Sequence, residues 1–146
     1  MPEGKVFLDT NMLIYAHDRS AKTKHEMAKE TVLELWEHHQ GLLSTQVLQE
    51  FFYAITRKIP KPMDALQARK IVEDLCRWEV VVNDTRGILA AIDMQNRYQY
   101  SFWEALIIQA AIQGGAKTLL TEDLSHGQTI QGVKIRNPFR SGPVKQ

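Results

Sequence analysis

Acidic residues stand at four separate points of the chain, each close to the end of a predicted strand or the start of a predicted helix. They are Asp9, Glu50, Glu104 and the pair Glu122-Asp123. If the fold gathers these carboxylates in one cleft, their pKa values rise, because nearby like charges disfavour ionisation. A hard divalent cation such as Mg²⁺ or Mn²⁺ removes that penalty and prefers oxygen ligands. The spacing therefore predicts a metal site that is assembled by the fold rather than by a local loop.

Each of these acids also has an ordinary structural role open to it. Asp9 and Asn11 are residue types that favour helix caps, and Glu50 is typical of a solvated helix surface. Glu104 ends the segment SFWE at 101–104, which matches a capping box, in which the glutamate accepts a hydrogen bond from the amide of the cap residue. The helix that follows is apolar on nearly every side, which predicts that Glu104 is buried and needs a partner. Capping and metal binding both stay open for Glu104.

The composition predicts one compact domain over residues 1–146. Eighteen basic residues nearly balance seventeen acidic ones, so no strong net field indicates nucleic acid or membrane as a partner. The single cysteine, Cys76, excludes an intramolecular disulfide and fits a reducing compartment. No apolar run reaches the length of about 18 residues that a membrane helix needs, and residues 1–5 lead into a strand without the apolar core of a signal peptide. We therefore expect a soluble, cytoplasmic protein.

Short apolar runs alternate with longer helical patterns, which predicts an α/β fold with a mostly parallel, twisted sheet of about five strands flanked by helices. The predicted strands are 5–8, 42–44, 80–82, 118–120 and 133–135. The predicted helices are 11–16, 23–39, 45 to before Pro60, Pro62 to about 78, 85–98 and 102–113. Gly41 is predicted to end the second helix and Gly114-Gly115 the last one, Thr45 to cap the third, and the tail from about 137 to be irregular. In such sheets ligands bind beyond the carboxyl ends of the strands, where Asp9 and Asp123 fall.

Four segments together resemble the PIN-domain family, especially the small VapC-type ribonuclease toxins of prokaryotic toxin–antitoxin pairs. The segments are VFLDTNMLIYAHD, STQVLQEFF, SFWEALIIQAA and LLTEDLSHGQ. In this order they match the regions that carry the family's four acids, and the ending VKIRNPF resembles its last strand and exit. The resemblance spans nearly the whole chain.

The resemblance implies a metal-dependent endoribonuclease, the toxin of a toxin–antitoxin pair, which hydrolyses phosphodiester bonds of RNA. Its four acids would hold one or two Mg²⁺ or Mn²⁺ ions, and they match Asp9, Glu50, Glu104 and Asp123. Asn11 and Thr121 would orient these ligands. The resemblance also implies a homodimer and a separate antitoxin protein that blocks the acidic cleft. Single-stranded parts of a folded RNA are the expected target, because A-form duplex hides its base edges.

His126 stands apart from the four matching acids, three positions after Asp123. It is either a turn residue or a contact to a substrate phosphate.

One position departs from the family pattern, which usually has Asp where this chain has Glu104. The extra methylene displaces the carboxylate, and Mg²⁺ tolerates poor octahedral geometry badly. The alternative reading is therefore a non-catalytic PIN-like module that binds RNA or a protein partner through a weakened metal site.

A third reading is a phosphorylation-controlled receiver domain, with Asp84 after the third predicted strand as its phosphoacceptor. Lys117 precedes the fourth strand, whereas a receiver needs its lysine after a later strand. The placement of this lysine disfavours the receiver reading.

Overall fold

Six strands and six α-helices make up the part of the chain that the structure, a computed structural model, describes, which is residues 3–140. The strands are β1 (Lys5–Leu8), β2 (Gly41–Ser44), β3 (Glu79–Val81), β4 (Ala116–Leu120), β5 (Thr129–Ile130) and β6 (Val133–Arg136). The helices are α1 (Thr10–His17), α2 (Thr23–His38), α3 (Thr45–Arg57), α4 (Ala65–Leu75), α5 (Thr85–Tyr98) and α6 (Phe102–Gln113), with a 3-10 turn at Arg19–Ala21 between α1 and α2. Residues 137–140 are irregular as predicted. The rest of the predicted irregular tail, 141–146, lies outside the described residues.

The strands form one sheet in the order β3-β2-β1-β4-β6-β5, and every neighbouring pair is parallel except β5 with β6. The predicted α/β class and mostly parallel sheet are confirmed. The sheet has one strand more than predicted, because β5 has only two residues and therefore shows no alternating pattern in the sequence.

The direction in which strands are added reverses after β3. The chain moves outwards from β1 to β2 to β3, and then crosses back to place β4 on the other side of β1. Because crossovers between parallel strands are right-handed, this reversal puts α1–α4 on one face of the sheet and α5–α6 on the other. The carboxyl ends of β1 and β4 flank the resulting switch point, where sheets of this type bind their ligands.

Two backbone hydrogen bonds continue the sheet pairing past the strand ends. The amide of Asp9 donates to the carbonyl of Leu120 at 3.0 Å, and the amide of Thr121 donates to the carbonyl of Arg136 at 3.0 Å. Residues just after β1, β4 and β6 are thereby held side by side at the switch point.

The two central strands are buried on both faces, as helices on each side of a parallel sheet require. Val6, Phe7 and Leu8 of β1 have no exposed surface, nor does Leu119 of β4. This packing gives the residues that follow each strand a rigid base, so that the switch point is positioned by the core.

Three local predictions were wrong. The α2 helix ends at His39 in the left-handed conformation, with φ of 55°, and Gly41 instead opens β2. A Cβ at Gly41 would lie 2.1 Å from the Trp78 ring, so glycine is needed there for close packing. The cap of α3 is Ser44 rather than Thr45, since the Ser44 hydroxyl accepts a hydrogen bond from the amide of Val47 at 3.2 Å. The fourth helix ends at Leu75, short of residue 78.

The receiver reading fails on both topology and the role of Asp84. Receiver-type sheets have the strand order 2-1-3-4-5, whereas here β1 lies between β2 and β4. Asp84 caps α5 by accepting a hydrogen bond from the amide of Gly87 at 2.8 Å. Asp84 is therefore a structural residue.

In residues 3–140 no helix is both long and apolar enough to cross a membrane.

Candidate active site

Asp9 is the buried centre of the acidic cluster. It follows β1 directly and caps α1, and its side chain is only 9% exposed. Its Oδ1 accepts a hydrogen bond from the amide of Thr10 at 2.7 Å, and its Oδ2 accepts one from the hydroxyl of Thr121 at 2.7 Å. The cap and the candidate ligand are therefore the same side chain, held in one orientation by two donors.

Thr121 connects two acids as well as two strands. Besides donating to Asp9, its hydroxyl oxygen accepts a hydrogen bond from the amide of Asp123 at 3.1 Å. Asn11 holds the same aspartate from the other side, since its Nδ2 donates to Oδ2 of Asp123 at 2.9 Å. The structure thus brings Asp9, Asn11, Thr121 and Asp123 together.

Glu50 reaches the same cluster from α3. Its Oε1 accepts a hydrogen bond from the hydroxyl of Thr10 at 2.6 Å, and its Oε2 accepts a weaker one from Nε2 of Gln46 at 3.4 Å. The residue is exposed, as its position off the apolar stripe predicts. Sequence analysis missed Thr10 and Gln46, although Thr10 stands between two residues that it singled out.

Glu104 forms the predicted capping box. Its Oε1 accepts a hydrogen bond from the amide of Ser101 at 2.9 Å, and its own amide donates to the hydroxyl of Ser101 at 3.1 Å. The prediction that Glu104 is buried was wrong, because in the first turn of α6 the side chain bends back to the cap and stays partly exposed. Burial and the charge of Glu122 raise the pKa of Asp123, and the negative charge of Glu104 raises it further, so Glu104 acts electrostatically on the cluster.

The neighbouring acids Glu122 and Asp123 have separate roles. Glu122 accepts hydrogen bonds from the Tyr15 hydroxyl and from Nζ of Lys24, the latter at 2.7 Å. Burial raises the pKa of Glu122, but these two donors outweigh it and keep the pKa below its usual value. Lys24 also lies 5.1 Å from the centre of the Tyr15 ring. Nothing in the sequence marks Tyr15 and Lys24 as partners of Glu122, because each is an ordinary residue of its helix. Their role becomes apparent only where the loop after β4 packs on them.

The electrostatics of the cluster fit the predicted repulsion. Burial raises the pKa of Asp9 to about 6, and the charges of Asp123 and Glu50 add to the rise, while the hydrogen bonds from Thr121 and Thr10 oppose it. Burial also raises the pKa of Asp123, and Glu122 and Glu104 raise it further. Loss of solvent, rather than the neighbouring charges that the sequence indicated, is the larger cause at both aspartates.

One unsatisfied atom indicates where a cation fits. Oδ1 of Asn11 is buried and has no hydrogen-bond partner among the described residues, because the amide of this side chain is turned towards Asp123. Carboxylate and amide oxygens are the ligand types that Mg²⁺ and Mn²⁺ prefer. The donor set around Asp9 therefore fits a hard divalent ion.

The side chains of residues 3–140 do not yet enclose such an ion. Within that range, no three His, Cys, Asp or Glu side chains are arranged closely enough to hold a metal. Glu50 and Glu104 lie on helices, and their oxygens already accept hydrogen bonds from Gln46 and from Ser101. Both would have to rotate to join Asp9 and Asp123.

His126 lies in the loop after β4 and is tied to the end of β6. Its Nδ1 accepts a hydrogen bond from the amide of Asn137 at 2.9 Å, which supports the turn-residue reading of the sequence. Its Nε2 is buried without a hydrogen-bond partner in the described part of the chain.

Comparison with known proteins agrees with this geometry. The family model of the PIN domain matches residues 6–129, whereas none of the curated proteins matches the sequence. A toxin–antitoxin complex from Klebsiella pneumoniae contains a similar chain, with a TM-score of 0.67 and 19% identity over 94% of this chain and 100% of that one. A second similar chain, in DNA-bound VapBC from Salmonella typhimurium, has a TM-score of 0.63 and 20% identity over 92% and 98% of the two chains. VapC20 from Mycobacterium tuberculosis, a toxin that cleaves the sarcin–ricin loop, has a TM-score of 0.60 and 17% identity over 79% and 87%.

At these identities the similarity to the solved structures is one of fold. The family match covers most of the chain and includes Asp9, Glu50, Glu104 and Asp123. This chain belongs to the PIN-domain family.

Proposed function

We propose that the protein is a metal-dependent endoribonuclease and the toxin of a toxin–antitoxin pair. The observation that carries the proposal is the position of Asp9 and Asp123 at the switch point, where Thr121 bonds to both. A buried carboxylate whose pKa is raised to about 6 is costly to ionise without a cation nearby. Ionisable groups with strongly shifted pKa values are concentrated at functional sites.

The residues have distinct tasks in this proposal. Asp9, Glu50, Glu104 and Asp123 are the candidate ligands of one or two Mg²⁺ or Mn²⁺ ions. Bound ions would lower the pKa of a water molecule and offset the negative charge of the phosphate under attack. Asn11 and Thr121 hold the two aspartates in position by the hydrogen bonds described above. Thr10 follows Asp9 directly, and its hydroxyl donates a hydrogen bond to Glu50, which would be released if Glu50 bound an ion.

The proposed substrate is a single-stranded part of a folded RNA. The deep, narrow groove of an A-form duplex keeps base edges away from side chains, whereas loops expose them. VapC20, which shares the fold, cleaves the sarcin–ricin loop. That comparison supports a loop as the class of target.

The proposed partners are a cognate antitoxin protein and a second copy of this chain, all in the cytoplasm. The solved structures with this fold include toxin–antitoxin complexes. An antitoxin that places a basic side chain against the acidic cluster would relieve the repulsion there. Toxicity on expression should disappear when a neighbouring open reading frame that encodes the antitoxin is co-expressed, and sedimentation should give the mass of a dimer. Persistent toxicity, or a monomer at high protein concentration, would contradict these two parts of the proposal.

A non-catalytic PIN-like module that binds RNA or protein is the second candidate. One observation favours this candidate. The carboxylate of Glu104, which matches the third acid of the family, already accepts the hydrogen bond of a helix cap. Such a module would bind a divalent ion weakly and would leave RNA intact.

Cleavage of RNA by the purified protein separates the two candidates. We expect cleavage with Mg²⁺ or Mn²⁺, none with EDTA, and a loss of at least about 100-fold in Asp9→Asn, as removal of an essential ligand charge predicts. Asp93→Asn, at an exposed aspartate of α5 that is not one of the four acids, is the matched control and should cleave like the wild type. Intact RNA with every metal tested, from a folded protein, would favour the binding module.

A further inference from the structure

The imidazole of His126 has a defined tautomer. Because Nδ1 accepts the hydrogen bond from the amide of Asn137, the proton of the neutral ring must be on Nε2. This Nε2–H group is buried and has no acceptor among the described residues. A buried donor without an acceptor is costly, so the site would be stabilised by an incoming acceptor oxygen.

Three positive charges act on the His126 ring. Burial lowers the pKa of His126, and the charges of Arg140, Arg136 and Lys134 lower it further, which favours the neutral ring. Lys134 and Arg136 are two residues apart on β6, so their side chains leave the same face of the sheet. In residues 3–140 none of the three cations forms an ion pair with a carboxylate.

This basic cluster, defined as His126, Lys134, Arg136 and Arg140, adjoins the acidic one. Arg136 pairs with Leu120 in the sheet, and its carbonyl accepts the hydrogen bond from the amide of Thr121. Thr121 in turn donates to Asp9. Two strand spacings of about 5 Å therefore separate the backbone at Arg136 from that at Asp9. If one phosphate of a nucleic-acid strand lies at the acidic cluster, a neighbouring phosphate of the same strand can therefore reach the basic cluster.

We propose that His126, Lys134, Arg136 and Arg140 form a subsite that binds a phosphate of the RNA strand adjacent to the phosphate that is cleaved. The inference rests on the proposed ribonuclease function and adds a location for the bound strand. The Nε2–H of His126 and the guanidinium groups donate to phosphate oxygens, and arginine suits this task because its planar fork binds two oxygens at once. His126 is partly exposed although its Nε2 atom is buried, so a small local movement would open Nε2 to the anion.

An acidic segment of a protein partner is the competing occupant of the same cluster. We favour RNA because the basic cluster lies within two strand spacings of Asp9, whereas an acidic peptide lying across both clusters would be repelled by Asp9, Glu50 and Asp123. RNA binding and partner binding can be measured separately, so the two occupants are distinguishable.

Binding is measured with a fluorescent single-stranded oligoribonucleotide of mixed sequence in EDTA, using the Asp9→Asn protein so that no cleavage occurs. We expect Arg136→Gln to weaken binding about tenfold and to reduce the slope of log affinity against log salt by about 0.7, the loss of one phosphate contact to a single strand. Arg140→Gln, beyond the last strand, should act in the same direction without risk to folding. Lys70→Gln, an exposed cation on α4, is the control and should leave affinity and slope unchanged.

His126→Asn separates phosphate binding from a structural role. The asparagine oxygen can still accept the hydrogen bond from Asn137, but the distal N–H is lost. We expect this variant to bind RNA at least threefold more weakly than the wild type and to unfold at the same midpoint. In the active protein the same change should raise KM and leave kcat within about threefold.

The outcomes separate this inference from the proposed function. Wild-type affinity and salt slope in Arg136→Gln, Arg140→Gln and His126→Asn would overturn the subsite even if the protein cleaves RNA. Weakened binding in these variants would support the subsite even if the wild-type protein cleaves no RNA, in which case the proposed function fails alone. Unchanged RNA binding with lost antitoxin binding would assign the cluster to the protein partner instead.

Discussion

The side chain of Asn11 donates a hydrogen bond from Nδ2 to Oδ2 of Asp123 at 2.9 Å, although the two residues are 112 positions apart in the chain. This bond joins the first turn of α1 to the loop after β4, so the two sides of the switch point are held at a constant separation. It also sets the orientation of the amide, which leaves Oδ1 of Asn11 as a buried acceptor without a partner in the described residues. A single residue thus positions one candidate ligand and presents an oxygen of its own.

Removal of this side chain should weaken metal binding. We expect Asn11→Ala to reduce Mn²⁺ affinity by about 10- to 100-fold, the range found when a group that orients metal ligands is lost. Isothermal titration calorimetry of the metal-free protein with Mn²⁺ measures this affinity. Asn96→Ala, at an exposed asparagine of α5, is the control. Equal affinities in the two variants would show that Asn11 is only a helix residue.

The stability of the metal-free protein should fall as the pH rises towards 6. The pKa of Asp9 is about 6 in the folded protein, whereas the ordinary value for an aspartate is 3.8, so between these two pH values the folded state holds a proton that the unfolded state releases. The stabilisation is fully present below about pH 4 and is lost as the pH rises through 6, by up to about 3 kcal/mol for a shift of this size. Urea unfolding in EDTA at several pH values measures it, and Asp9→Asn should lack this dependence. A wild-type stability that rises between pH 4 and 6 relative to Asp9→Asn would contradict the prediction.

Metal affinity should have the opposite pH dependence. A divalent ion needs the ionised form of Asp9, so binding must release the proton that this residue holds below its pKa of about 6. We expect Mn²⁺ affinity to increase up to about tenfold per pH unit below 6 and to level off above it. Titration of Mn²⁺ at pH 5, 6 and 7.5 checks this. A flat profile would mean that Asp9 is not a ligand.

Glutamine and aspartate at position 104 test the two roles of Glu104. A capping box accepts either Glu or Gln, so Glu104→Gln should change the free energy of unfolding by less than about 0.5 kcal/mol. If Glu104 is also a ligand, as we expect, the same change should lower Mn²⁺ affinity at least tenfold and reduce cleavage sharply. Glu104→Asp should keep or raise cleavage, because it restores the residue that is usual in the family.

Ser101→Ala is the matched control for Glu104. It removes the cap but keeps the charge, so it should cost about 1 kcal/mol of stability and leave metal affinity unchanged. Unaltered metal affinity and cleavage in Glu104→Gln would reduce this residue to a helix cap.

Glu122 and Asp123 should differ in their effect on activity although they are adjacent. Glu122 is engaged by Tyr15 and Lys24, whereas Asp123 is held by Asn11 beside the acidic cluster. We expect Asp123→Asn to lose at least about 100-fold in cleavage and Glu122→Gln to stay within a few-fold of the wild type. Rates from single-turnover assays decide between them. A larger loss of cleavage in Glu122→Gln than in Asp123→Asn would show that Glu122, and not Asp123, is the ligand.

Sequence patterns alone predicted the α/β class, the parallel sheet and the elements that carry each acid. These features follow from local regularities: buried strands are short apolar runs, and the apolar residues of helices repeat every 3.6 residues. The capping box of Glu104 was also readable, because its two partners are three residues apart. The resemblance to the PIN-domain family rests on the same short segments and was confirmed by the family match.

The tertiary structure alone decided how the acids are held and which side chains hold them. The bonds of Glu50 to Thr10, of Thr121 to Asp9 and of Lys24 to Glu122 join residues 40, 112 and 98 positions apart. The periodic patterns of the sequence do not predict such pairs, because the pairs depend on the order of the strands and on the rotamers that packing permits. The same is true of the missed strand β5, which exists only because β6 offers it a partner. Local chemistry determines which elements form, whereas the meeting of their ends at the switch point determines which of their side chains can act together.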